Sequence, residues 1–106
     1  MSVTFPEYVQ VGAHKYKVIF PYVFREDKGL YGQIDYAINE IRINGVDSNG
    51  IKLPDTVLVT TFFHELFHAI SNVFTNRECN NERDIEAFAQ GLAQVFCSAQ
   101  LPDVTE

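Results

Sequence analysis

A chain of 106 residues, 46% hydrophobic and 13% aromatic, carries enough apolar side chain for one packed core without disulfides or a second module. Its formal net charge is −6 and its 8 Lys and Arg residues are scattered, which argues against nucleic acid or a membrane surface as partner, because both require a concentrated basic face. The 2 cysteines, Cys79 and Cys97, lie far apart, the usage of reduced thiols in a cytoplasmic protein rather than of a disulfide framework.

The N-terminal MSVTFPEYVQVG has neither a basic start nor a continuous apolar run, so it reads as the approach to a strand and not as a signal peptide. Residues 14–24, HKYKVIFPYVF, are rich in β-branched and aromatic side chains, and Pro21 marks an edge, a bulge or the strand's end. REDKG at 25–29 is a charged turn, followed by two further short strands, LYGQIDYAI at 30–38 and IRIN at 41–44, joined around Asn39 and Glu40. Such spacing predicts an antiparallel meander of three to four strands.

NGVDSNGIKLP at 44–54 repeats Asn-Gly and closes on a proline, the composition of a loop that ends where a helix begins. From Asp55 to Phe74 apolar residues cover most of a helix circumference, interrupted by Thr60, Thr61, His64, Glu65 and His68, as in a helix at the centre of a fold. After the polar connection TNRECNN at 75–81, Ile85, Phe88, Ala89, Leu92, Val95 and Phe96 recur at helical steps from Glu82 to about Ala99, and Pro102 closes the helix. No apolar stretch approaches the length that spans a bilayer, and no repeat or linker divides the chain. The expectation is one α+β domain over residues 1–106, its strands followed by two helices packed on one face of the sheet.

HELFH at 64–68 is HExxH on a helix, a spacing that puts both imidazoles on one side, a turn apart, with Glu65 beside any ion they share. Zinc suits such a pair, because neutral imidazole is a good ligand and three protein ligands leave a position open for water. A third ligand is expected from the second helix, where Glu82 and Glu86 are one turn apart on the flank of Ala89 and Ala93. Glu82 falls in the first turn, where helix dipole or capping accounts for a carboxylate, as for Asp84, whereas Glu86 lies beyond it. Glu86 is therefore placed ahead of Glu82, with Asp84 and the Cys79 thiol as further candidates. Tyr31 and Tyr36 are candidates to stabilise an oxyanion, Thr60, Thr61, Gln90 and Asn72 to orient ligands, and His14 reads as an ordinary exposed histidine.

HELFHAI followed by ERDIEAFAQGLAQVF, with YGQIDYAINEIRIN upstream, resembles the ImmA/IrrE-type metallopeptidases of bacteria and phages, in particular their minimal phage-encoded members, from Tyr31 onward. The resemblance implies a zincin-like domain of gluzincin type, with zinc on His64, His68 and a glutamate that the E-A-x-A-x-x-L pattern maps onto Glu86, and Glu65 as general base. Some members of that family cut a DNA-binding repressor, so a protein in the bacterial cytoplasm is the kind of substrate implied. The expected reaction is peptide-bond hydrolysis, with an extended substrate adding to the sheet edge at 41–44. Its rivals are a non-catalytic metal-binding regulatory or adaptor module and a closed structural zinc site completed by Cys79.

Overall fold

The structure is a computed structural model that describes residues 3–98; the expected helix stop at Pro102 lies outside them. Its elements are β1 (Tyr8–Val11), β2 (His14–Ile19), β3 (Gly32–Asp35), β4 (Glu40–Ile43), α1 (Asp55–Phe74) and α2 (Glu82–Ser98), an α+β arrangement in which a sheet precedes two helices.

The strands do not form a meander. They lie in the order β1-β2-β4-β3, with β1–β2 and β3–β4 antiparallel but β2 and β4 parallel. The β1–β2 turn uses Gly12 at φ 60, and a Cβ there would stand 2.6 Å from Val73 Cγ1 of α1, so the position excludes a side chain on both counts. β2 stops at Ile19, short of residue 24, because Pro21 has no N–H for the ladder; the Phe20–Pro21 bond is cis. Residues 20–31 then carry the chain across the sheet, so that the β3–β4 hairpin, turned at Asn39 with φ 51, returns with β4 innermost. Segment 41–44 is consequently not an edge. Ile41 and Ile43 are both 0% exposed, as suits the strand that α1 covers, and the free edges belong to β1 and β3.

α1 lays Leu58 and Ala69 onto Tyr16, Val18, Ile41 and Ile43 to form the core. This helix is long and apolar enough to cross a membrane by length and composition alone, contrary to the expectation from the sequence; here it is the central helix against the sheet. α2 packs on α1 rather than on the sheet. Ile85, Ala89 and Ala93, at four-residue steps, are its buried side, and the two alanines allow the close approach expected of them. Phe88, Leu92, Val95 and Phe96, which share the apolar pattern, are exposed, since among the described residues α2 packs chiefly on α1.

Candidate metal centre

HELFH occupies the middle of α1, and α2 runs beside it. The link between the helices uses Asn76 and Arg77 at φ 51 and 68, and α2 is capped by Asn81, whose Oδ1 accepts the N–H groups of Arg83 and Asp84 at 2.9 and 3.3 Å. Asn81 therefore meets the need that the first-turn carboxylates were expected to meet. Glu82 is free to turn towards α1.

Its two carboxylate oxygens face the two motif histidines. Oε2 lies 3.1 Å from His64 Nε2 and Oε1 lies 2.9 Å from His68 Nε2, while the two Nε2 atoms stand 3.2 Å apart. Each imidazole is held from behind. His64 Nδ1 donates to Glu86 Oε1 at 2.9 Å, and Gln90 Nε2 donates to the other Glu86 oxygen at 3.3 Å; His68 Nδ1 donates to Asn80 Oδ1 at 2.6 Å. With Nδ1 carrying the proton, a neutral ring presents a lone pair at Nε2. Both lone pairs then point at a carboxylate; a proton on one Nε2, donated to Glu82 or to the other ring, relieves this, and so does a cation at the junction. For metal–ligand bonds of about 2.0–2.1 Å, tetrahedral ligands are separated by roughly 3.3 Å; the two Nε2 atoms are 3.2 Å apart, and each faces a different Glu82 oxygen. His64, His68 and Glu82 are thus the donors that can share one ion.

Among the residues expected at this site, His64, His68 and Glu65 are brought together; Glu82 lies against both Nε2 atoms, and Glu86, the glutamate placed first from the sequence, contacts Nδ1 of His64. Glu86 reaches the far nitrogen of His64 and holds its tautomer, as carboxylates behind metal-binding histidines do. Both lie on the flank foreseen, one turn apart; what differs is the height at which α2 stands beside α1. Asp84 and Cys79 line a different groove, with Phe67 and Ile70, and do not join the donors. Cys79 and Cys97 are free and exposed. The Thr60 and Thr61 hydroxyls donate to the carbonyls of Thr56 and Val57 within α1 and so orient no ligand. Asn72 accepts from Arg77 Nε, and His14 is exposed. Asn80 was not foreseen, since nothing in TNRECNN distinguishes it.

Glu65 is buried, and burial pushes its carboxyl above the usual range, with Glu82 and Glu86 acting in the same sense and His64 and His68 against it. Its carboxylate lies against the β3 edge. A Cβ on Gly32 would come within 3.1 Å of Glu65 Oε2 and 2.5 Å of Thr61 Cγ2. In front of it opens a cleft of about 450 Å³ bordered by Tyr31, Val57, Thr60 and Gln90. Tyr36 instead lies under Arg77, 4.8 Å from the guanidinium carbon to the ring centroid, and burial pushes its phenol up against the opposing pull of Arg77.

Gly32→Ala should cost about 1–3 kcal/mol, the usual penalty for overpacking, read as a lower midpoint in urea. Thr61→Ser removes the clashing methyl and should restore part of the loss in the double variant. An unchanged midpoint for Gly32→Ala would mean that β3 is not held against α1. Comparison of the chain with protein-family models, with curated proteins and with solved structures finds no match.

Proposed function

We propose that this protein is a zinc-dependent metallopeptidase that hydrolyses a peptide bond in an extended protein segment. The observation that carries the reading is the convergence of His64 Nε2, His68 Nε2 and the Glu82 carboxylate beside a buried Glu65 on an open cleft. Two neutral imidazoles and one carboxylate are the donor set of an open catalytic zinc site, whereas structural sites favour thiolates. When bound, zinc supplies a Lewis acid that polarises the scissile carbonyl and acidifies the attacking water.

The chain's own residues do the rest. Glu86 and Asn80 keep Nδ1 of His64 and His68 protonated, so that both Nε2 lone pairs face the ion. Glu65 accepts the proton of the attacking water and passes it to the leaving amine. The β3 edge, which passes Glu65 at Gly32, offers unpaired backbone groups to an incoming strand and aligns its carbonyl with the ion. The resemblance to ImmA/IrrE-type peptidases supports the chemistry and a regulatory protein of the bacterial cytoplasm as the substrate class; it differs in assigning Glu86 as the third ligand.

The test is metal analysis together with incubation of the protein with a mixture of unstructured peptides. We expect one zinc per chain, lost in His64→Ala and in His68→Ala, and cleavage that a chelator stops and added zinc restores. Full metal occupancy in both alanine variants, or cleavage indifferent to chelation, would refute the assignment.

A further inference from the structure

On the side of the helix pair away from the metal centre, Ile70 of α1 and Phe88, Leu92, Val95 and Phe96 of α2 are 36–68% exposed. They form one surface. Phe67 and Ile70 line a groove together with Phe88, and at the other end Phe63 meets Phe96 with ring centroids 5.9 Å apart. The apolar side chains are continuous there, with the acidic Glu78 and Asp84 also lining the groove. Taking about 150–250 Å² for a fully accessible aromatic side chain and less for an aliphatic one, the exposed apolar area is roughly 400–500 Å², the size of the largest patch on a typical monomer, which is often functional. A stable dimer of standard size buries about 800 Å² per partner, of which about 56–65% is apolar. The patch therefore supplies the whole apolar core of such an interface.

We propose that this face joins two copies of the chain, α2 packing antiparallel on α2 of the second copy about a two-fold axis beside Gly91 and Leu92. The pattern along α2 is its own complement. Phe88, Leu92 and Val95 follow the four-then-three spacing of helix pairing, and reversal about the point between Gly91 and Leu92 sets Phe88 against the partner's Val95 and Leu92 against the partner's Gly91. A large side chain thus meets a gap at the centre of the contact. Among the described residues nothing else explains Gly91: a Cβ there meets nothing within 4 Å, its φ is not positive, and glycine within a helix is less favourable than alanine. In the dimer it admits the second helix. With −6 on each chain, charge opposes the association and salt strengthens it, the reverse of what holds for a partner recruited by its basic charge.

The test is sedimentation of the whole chain from micromolar to submillimolar concentration, at physiological and at raised salt. We expect twice the chain mass of 12.1 kDa at the upper end, with dissociation on dilution and tighter association in high salt. Val95→Glu should be monomeric. Gly91→Gln separates this contact from a role in folding: filling the gap should weaken the dimer by about tenfold or more while raising the unfolding temperature of the dilute monomer, since glutamine is the better helix former. Wild-type protein monomeric at every concentration would overturn the proposal in favour of another occupant, whether later residues of the chain or a different protein. A Gly91→Gln variant that pairs as tightly as wild type would overturn it as well.

Discussion

Glu65→Gln should leave one zinc per chain in place and lower peptide hydrolysis by about two orders of magnitude or more, the scale of losing a general base. Glutamine fills the same volume between α1 and Gly32 but cannot take up the proton of the attacking water. Folding should not suffer. In the metal-free protein the carboxyl of Glu65 is pushed up by burial, so the folded state favours the protonated form. The stability from this group is complete below the ordinary carboxylate value and is lost as pH rises through the raised one. The glutamine variant lacks that loss and should be at least as stable as wild type at neutral pH. Metal content and turnover, measured on one preparation, decide the matter: unchanged turnover removes Glu65 from the mechanism, and lost zinc makes it a ligand instead of a base.

Glu82→Ala should abolish tight zinc binding, whereas Glu86→Ala should weaken it by about 10–100-fold, the usual effect of removing a group that orients a ligand. In the proposed centre the first change deletes a metal–oxygen bond and a compensating charge; the second leaves the donors but frees the His64 ring to turn. Neither change uncaps α2, because Asn81 performs that role, and the lost dipole interaction of a first-turn carboxylate is worth only about 0.3–1 kcal/mol. Competition with a chelator ranks the two variants. If Glu86→Ala were the zinc-deficient protein and Glu82→Ala normal, the ligand would be the one that the sequence pattern suggests.

That contrast marks where sequence reasoning reached and where it stopped. The pairing of His64 with His68 is local, set by the pitch of one helix, and the apolar period delimited α1 and the start of α2. The same period put Glu82 and Glu86 on the correct flank. It carries no information about how far α2 slides along α1, which is decided by a seven-residue link with two positive-φ positions, Asn76 and Arg77. The strand order failed to show for a related reason. Alternation in IRIN identifies a strand, but its neighbours depend on the route of residues 20–31, where no periodic signal exists. The apolar stripe of α2 was visible, and its extent was not: a pattern names the residues that avoid water without naming what covers them.

α2 rests on α1 through Ile85, Ala89 and Ala93, and it carries Glu82 and Glu86. In the proposed metal centre, seating this helix and completing an ion's coordination are one equilibrium. The affinity for zinc would be the intrinsic affinity reduced by whatever fraction of the time α2 is away from its seat. By reciprocity, anything that grips the outer side of α2 and holds it down would tighten metal binding by the same factor by which the metal tightens its own. The helix would connect the face that carries Glu82 and Glu86 to an outer face that no ion touches.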